Sequence, residues 1–223
     1  MILRRLMVIF LCFGLVCPVY GAETEKYVAL TFDDGPSGRF TRALLDGLQK
    51  REVKATFLLC GYRIKEYPKE ARRIHAEGHE IGLHGYSHSC MADMCQEMLE
   101  RELADTLALL PAGCKPAFLR PPGGKCSDVV LEAARQADLG VLSWSVDPRD
   151  WASHDAKVIG QAVVQRVRDG DVILLHDMSD SSVEAALTIV DELKQQGFRF
   201  VTVSELARLK GIAIEPGKVY KRF

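Results

Sequence analysis

The chain has 223 residues, of which 48% are hydrophobic and 26% are charged. These values are ordinary for a globular protein, so they exclude intrinsic disorder and collagen-like repeats, and the length fits one domain. Lys and Arg together number 29 and Asp and Glu number 30, which gives a formal net charge of -1. Because such a chain has no overall basic field to hold a phosphate backbone, nucleic-acid binding is not expected.

Residues 1–21 have the layout of a secretory signal peptide. Arg4 and Arg5 form a short basic start, residues 6–16 are an unbroken apolar run, and a cleavage point is predicted near Ala22. The run is shorter than the roughly 20 residues that a transmembrane helix needs. We therefore expect a secreted or cell-envelope-associated protein. The alternative is an uncleaved N-terminus, which would then be the only contact with a membrane.

Five cysteines follow the predicted signal peptide, and export would place them in a compartment that permits disulfides. Cys90 with Cys95 and Cys114 with Cys126 are the pairings closest in sequence, although spacing does not determine connectivity. Cys60 lies in an apolar run and is expected to be buried and inert. A cysteine-ligated zinc site is disfavoured because no C-x-x-C motif occurs.

Short apolar or β-branched runs alternate along the chain with segments of helical periodicity. The predicted strands are residues 27–32, 55–59, 80–83, 117–119, 140–144, 172–175 and 198–203. The predicted helices are residues 42–48, 67–76, 91–110, 127–137, 156–168 and 182–196.

This alternation predicts an α/β fold with a parallel sheet and crossover helices. A closed or nearly closed barrel fits one covering layer of helices better than a doubly wound open sheet does, although periodicity alone does not separate the two. No linker divides the chain, so we expect a single domain, with residues 22–25 and 211–223 as tails. In such folds function lies at the carboxyl ends of the strands, so polar residues after each apolar run are the candidates.

Asp33 and Asp34 end the first predicted strand, before Gly35 and Pro36. Consecutive strand residues face opposite ways, so the two carboxylates are expected to serve different roles. The alternative is an ordinary Asp-Gly turn.

His84 and His88 follow the third predicted strand. They could chelate a metal ion, although the H-E-x-x-H motif is absent. A pair of hydrogen-bonded polar histidines is the alternative.

Three more strand ends carry charged side chains. Arg120, followed by two prolines, is suited to hold a carboxylate bidentately, and the alternative is a surface ion pair. Asp147, Asp150 and Trp151 follow the fifth strand, and His176 ends the sixth, where a core histidine is the alternative.

Five stretches occur in one order: Thr31–Pro36, His84–His88, Arg120–Gly123, Asp147–Trp151 and Leu174–His176. They resemble the five motifs of the polysaccharide deacetylases, the NodB-homology domain family or carbohydrate esterase family four. The likeness covers roughly residues 26–210. It implies a distorted (β/α)7-type barrel and a divalent metal, usually Zn2+, with Co2+ or Ni2+ as alternatives.

The resemblance also implies roles for individual residues. Asp34, His84 and His88 would bind the metal, and Asp33 would act as general base on water, held in place by Arg120.

The remaining motif residues would act on the acetyl group and the leaving group. Gly123 would offer its backbone N–H to the oxyanion. His176, oriented by Asp150, would protonate the leaving amine, and Trp151 and Leu174 would wall the acetyl pocket.

Two positions depart from the pattern of the family. Gly85 stands where Ser or Thr usually follows the first histidine, so metal affinity is expected to be weaker. Gly123 stands where an aromatic residue is common, which is expected to alter sugar stacking while keeping the backbone N–H.

The resemblance implies a metal-dependent deacetylase whose partner is an acetylated polysaccharide or oligosaccharide. The predicted signal peptide adds secretion, and we expect a monomer. Peptidoglycan N-acetylglucosamine is the leading substrate and chitin oligomers come next. An O-acetyl xylan esterase or a cyclic-amide hydrolase is the alternative among enzymes. A non-catalytic glycan-binding protein is the alternative of another class, and the retained acids, histidines and arginine argue against it.

Overall fold

The computed structural model describes residues 25–223, so the predicted signal peptide lies outside the described residues. The strands are β1 (Lys26–Asp33), β2 (Thr56–Leu59), β3 (Glu80–Leu83), β4 (Phe118–Leu119), β5 (Gly140–Leu142), β6 (Val172–His176), β7 (Phe198–Val201) and β8 (Val219–Tyr220). The α-helices are α1 (Arg39–Lys50), α2 (Gly61–Glu66), α3 (Pro68–Ala76), α4 (Gln96–Leu107), α5 (Asp128–Gln136), α6 (Ala156–Val164), α7 (Asp180–Gln195) and α8 (Val203–Leu209).

The strands form one curled parallel sheet in the order β6-β1-β2-β3-β4-β5-β8, and β7 pairs with the amino half of β1. Beyond β5 the chain returns to the other end of this order, where Val146 forms a parallel bridge with Ile173 of β6. The curled sheet thus meets itself through isolated bridges, since Arg222, just beyond β8, also forms an antiparallel bridge with Asp171, just before β6. This confirms the distorted barrel and not the doubly wound alternative.

The core lies between the sheet and the surrounding helices. All four residues of β2 are buried, as expected for a strand covered on both faces. The α1 helix buries one stripe, which includes Leu44, Leu45 and Leu48, against this layer. Phe32 of β1 stacks on Phe57 of β2 with ring centroids 5.2 Å apart. This packing fixes the strand ends that carry the polar candidates.

The C-terminal segment is part of the sheet, so its prediction as a tail is wrong. Val219 of β8 pairs with Val141 of β5, and the Tyr220 ring stacks on Phe223 at 5.4 Å. Arg222 forms an ion pair with the fully buried Asp171. A two-residue strand between charged residues has no detectable apolar run, so only its pairing partner reveals it.

Other differences concern helices. The short helices α2 and α8 were not predicted, and the predicted helix at 91–110 is a 3₁₀ turn (Met91–Asp93) followed by α4. Among residues 25–223, none of the helices is both long and apolar enough to cross a membrane.

All five cysteines of the described part of the chain are free, so the structure contains neither expected disulfide. Cys114 precedes β4 and packs against the core, whereas Cys126 follows β4 and is exposed, so the two flank opposite ends of that strand. Cys90 and Cys95 are separated by the 3₁₀ turn. Cys60 is buried, as predicted, and burial raises the pKa of its thiol far above the usual range, which makes it inert.

Candidate active site

The polar candidates converge at the carboxyl ends of the strands. A cavity of about 380 Å³ opens there. It is lined by Asp33, Asp34, His84, His88, Gly123, Trp144, Asp147, Trp151, Leu174 and His176. The two remaining predicted residues, Arg120 and Asp150, are buried and touch lining residues from behind. The structure therefore brings all ten predicted site residues together.

Asp34, His84 and His88 form a cluster of three ligand atoms that lie within 4.8 Å of one another. Asp34 Oδ1 lies 3.3 Å from His84 Nε2 and 2.9 Å from His88 Nε2. His84 Nδ1 lies 2.6 Å from the carbonyl oxygen of Arg120, which accepts a hydrogen bond when that nitrogen is protonated. With the proton on Nδ1 alone, the lone pair of Nε2 is free for a metal ion, whereas in the doubly protonated ring Nε2 donates to Asp34.

The electrostatics of this cluster fit a cation. Burial disfavours the charged form of Asp34, but hydrogen bonds from His84 and His88 hold the pKa of its carboxyl well below its usual range. The hydrogen bond with Asp34 raises the pKa of His88 in turn. Asp34 Oδ1 is buried and has no further hydrogen-bond partner among residues 25–223. One carboxylate and two imidazoles are a donor set that suits Zn2+, Co2+ or Ni2+ and leaves coordination positions open.

Asp34 follows β1 with a φ of 70°, so strand alternation does not separate the two carboxylates, and both line the cavity. Asp33, the last residue of β1, nevertheless has different partners. Its Oδ1 accepts a hydrogen bond of 2.6 Å from Arg120 Nη1, which also donates to Thr31 Oγ1. The Arg120 side chain is fully buried, and its other nitrogens donate to the carbonyls of Leu142 and Ser143. The guanidinium thus binds one oxygen of the Asp33 carboxylate, not both. Its other N–H groups donate to oxygen atoms of the barrel strands and of the residues that follow them.

His176 and Asp150 form a second polar pair at the cavity. His176 Nδ1 lies 2.8 Å from Asp150 Oδ1, and the backbone N–H of His176 donates to Asp150 Oδ2. Burial disfavours the imidazolium, but the hydrogen bond and charge of Asp150 raise the pKa of His176 to about 9. The pair therefore presents a protonated imidazole to the cavity at neutral pH.

The rest of the wall is apolar or open. Leu174 is nearly fully buried, whereas Trp151 is 65% exposed. Gly123 has a φ of 66°, and a Cβ there would meet nothing within 4 Å, so this residue leaves space at the cavity edge. Trp144 also lines the cavity and faces the Arg120 guanidinium at 5.7 Å. In the sequence Trp144 ends the predicted strand at 140–144, and this place at a strand end is the signal that could have identified it.

A glutamate from α4 supports the loop between His84 and His88. Glu102 Oε2 accepts the backbone N–H groups of Tyr86 and Ser87 at 2.7 and 2.9 Å. A Cβ on Gly85 would lie 3.2 Å from the same oxygen. Sequence reasoning missed Glu102, because nothing distinguishes it from the other charges of α4.

Asp177 supports the loop that follows Asp34. It is fully buried, Thr41 donates to its Oδ2, and its Oδ1 has no hydrogen-bond partner in the described part of the chain. Burial raises its pKa to about 7. A Cβ on Gly35 would lie 2.6 Å from Asp177 Oδ1, so only glycine fits where the two loops meet.

Residues 20–142, more than half of the chain, match the polysaccharide deacetylase family. The chain belongs to this family. The match confirms the family suggested by the five motifs, and a polysaccharide deacetylase is a hydrolase.

Two relatives of this polysaccharide deacetylase are named as peptidoglycan deacetylases. A peptidoglycan-N-acetylglucosamine deacetylase of Bacillus cereus is 40% identical over 194 residues, which cover 84% of this chain and 91% of the relative. The peptidoglycan-N-acetylmuramic acid deacetylase PdaC of Bacillus subtilis is 37% identical over 83% of this chain, which spans 40% of that protein.

A solved structure resembles the whole barrel. A family 4 acetyl xylan esterase from Clostridium thermocellum, in complex with a cobalt ion, superposes with a TM-score of 0.83 and is 39% identical. The match covers 88% of this chain and 98% of that one.

Proposed function

We propose that this polysaccharide deacetylase is a secreted, metal-dependent enzyme that removes acetyl groups from N-acetylated glycans of the cell wall. The N-acetylglucosamine of peptidoglycan is the leading substrate and chitin oligomers come next. The observation that carries the proposal is the placement of a three-ligand cluster beside one carboxylate, Asp33, in the same cavity as the imidazole of His176, which Asp150 holds.

Asp34, His84 and His88 would hold the divalent cation, with Zn2+ favoured over Co2+ or Ni2+. Bound there, the cation would polarise the acetyl carbonyl and make a water molecule easier to deprotonate. The contact of His84 Nδ1 with the carbonyl of Arg120 keeps Nε2 directed to the cluster.

Asp33 would accept the proton of the attacking water at its Oδ2. The other oxygen is held by Arg120, which fixes the orientation of the carboxylate. Because Asp33 is buried next to a fully buried guanidinium, it needs no large rearrangement before it accepts the proton.

The backbone N–H of Gly123 would donate to the oxyanion that forms on the acetyl group. His176, held by Asp150, would donate its proton to the leaving amine. Leu174 and Trp151 would enclose the acetyl methyl group. Base and acid are thus supplied by different strands, β1 and β6.

Two lines support the cell wall as the place of action. The two relatives described above are named for peptidoglycan, and residues 1–21 have the layout of a signal peptide. We propose that the mature protein acts as a monomer outside the cytoplasmic membrane.

The test is acetate release from peptidoglycan, chitin oligomers and acetylated xylan. The protein is first stripped with a chelator and then supplied with zinc, cobalt or nickel, and Asp33→Asn serves as the control. Release from peptidoglycan that needs added metal and disappears in the control supports the proposal. Release that persists after chelation, or in Asp33→Asn, contradicts it.

O-acetyl xylan is the second candidate substrate, because the esterase of Clostridium thermocellum shares the whole barrel. The same residues could cleave an ester, since the leaving alcohol also takes a proton. A higher kcat/KM on acetylated xylan than on either N-acetylated glycan would favour this candidate.

A further inference from the structure

A second cavity, of about 240 Å³, adjoins the active site. It is lined by Ser145, Val146, Asp147, Arg166, Arg168 and Arg222. We call it the arginine pocket. Asp147 lines both the arginine pocket and the active-site cavity.

The arginine pocket has more positive than negative side chains: three arginines and one acid, Asp147, line it, and Asp171 lies beside Arg222. Arg222 is neutralised by the buried Asp171. Arg166 and Arg168 are exposed, and neither forms an ion pair with another residue of the described chain. Asp147 Oδ1 accepts the backbone N–H of Arg149 at 2.7 Å. Two guanidinium groups are therefore left to bind an anion from outside.

The strand β6 sets the separation between the arginine pocket and the reacting centre. The backbone N–H of Arg168 donates to Asp171, just before β6, and His176 ends β6 at the active site. Five residues of strand span about 16 Å. An anion in the arginine pocket must therefore be joined to the reacting sugar by an arm of roughly that length.

Only one of the two leading glycans carries an anion on an arm of this length. In peptidoglycan the neighbouring muramic acid carries a short peptide with free carboxylates, and four or five extended peptide residues span about 13 to 18 Å. Chitin oligomers carry no anion. Guanidinium groups bind carboxylates through paired, charge-assisted hydrogen bonds.

We propose that the arginine pocket binds a carboxylate of the peptide attached to the glycan strand, and so selects peptide-bearing peptidoglycan over neutral glycans. The proposal rests on the proposed function and adds the feature of the substrate that is recognised. Arg166 and Arg168 supply the contacts, and Arg222, held by Asp171, forms the base of the pocket.

The test compares the Arg166→Ala/Arg168→Ala variant with wild type on three probes. They are a peptide-bearing disaccharide of peptidoglycan, the same disaccharide without peptide, and a neutral chitin oligomer. We expect KM on the peptide-bearing probe to rise about tenfold and kcat to stay unchanged, with no change on the chitin oligomer. Arg72→Ala, which removes an exposed arginine from α3, is the matched control and should change none of these values.

The other results are also decisive. An equal loss on the peptide-bearing probe and the chitin oligomer, or no loss on either, overturns the proposal. An equal loss on both disaccharides assigns the contact to the lactyl carboxylate and also contradicts the peptide. Arg166→Lys/Arg168→Lys should restore part of the affinity, because charge remains while the paired geometry is lost.

A binding measurement separates this proposal from the proposed function. Calorimetric titration of the Asp33→Asn variant with the peptide-bearing disaccharide needs no turnover. Binding that weakens about tenfold when Arg166→Ala/Arg168→Ala is added supports the arginine pocket even if wild type releases no acetate. Binding that does not change in that combined variant overturns the arginine pocket even if deacetylation is confirmed.

Discussion

The Oε2 atom of Glu102 accepts the backbone N–H of Tyr86 at 2.7 Å and thereby joins α4 to the loop between His84 and His88. The same oxygen accepts the N–H of Ser87. A single carboxylate oxygen thus accepts two backbone N–H groups from the segment between the two candidate metal ligands. Gly85, which lacks the hydroxyl common at this position in the family, lies in the same loop.

Glu102→Ala is expected to weaken zinc binding about tenfold, because residues that hold metal ligands in place typically change affinity by 10–100-fold. Calorimetric titration of the chelator-treated protein with zinc measures the affinity directly. Asp105→Ala, an exposed acid of the same helix, is the control. Equal affinities for the two variants would show that the loop keeps its shape without Glu102.

Gly85→Ser is expected to lower stability, although it restores the residue usual in the family. Gly85 has a φ of 77°, and a Cβ there would lie 2.7 Å from Cε of the buried Met91. A left-handed serine costs about 1 kcal/mol or more, before any crowding. Urea unfolding measures the loss, and Gly85→Ser/Met91→Ala tests whether crowding or the backbone dominates. A midpoint equal to that of wild type contradicts the prediction.

The pH dependence of His176 should follow Asp150. In the metal-free protein the pKa of His176 is raised to about 9, so the imidazolium stabilises the fold fully below the unfolded value of about 6.5 and this contribution disappears as pH rises through about 9. Asp150→Asn removes the charge and should move the pKa of His176 back toward its ordinary value. Titration of the imidazole by NMR measures both values. An unchanged pKa in Asp150→Asn would falsify the assignment of cause.

The same variant should change catalysis. If His176 donates the proton to the leaving group, the basic limb of the kcat/KM profile moves to lower pH in Asp150→Asn. Asp155→Asn, at the exposed N-terminus of α6, is the control and should leave the limb in place.

Arg120→Met is expected to destabilise the protein by about 3 kcal/mol, because it leaves the buried carboxylate of Asp33 without its charged partner. Adding Asp33→Asn removes the unpaired charge, so Asp33→Asn/Arg120→Met should lose less than the sum of the single variants. A double-mutant cycle by urea unfolding gives the coupling. Additive losses would mean that Asp33 and Arg120 do not stabilise each other.

The alternation of strands and helices was readable from the sequence because each element has its own hydrophobic period. The convergence of Asp34, His84 and His176 was also readable, since the carboxyl ends of parallel strands meet at one edge of the sheet. The order of the five motifs also indicated the protein family. These are local signals, and the barrel follows from them once the strands are parallel.

Contacts between distant segments were decided only by the tertiary structure. No local sequence signal distinguishes Glu102 or the strand β8, and their positions depend on partners that lie far away in the sequence. The expected disulfides were inferred from sequence proximity, yet Cys114 and Cys126 flank opposite ends of β4. Local periodicity therefore determined the elements and the edge where chemistry collects. Packing between distant elements decided how the loops are held and where Arg166, Arg168 and Arg222 meet, because such contacts form only when the barrel closes.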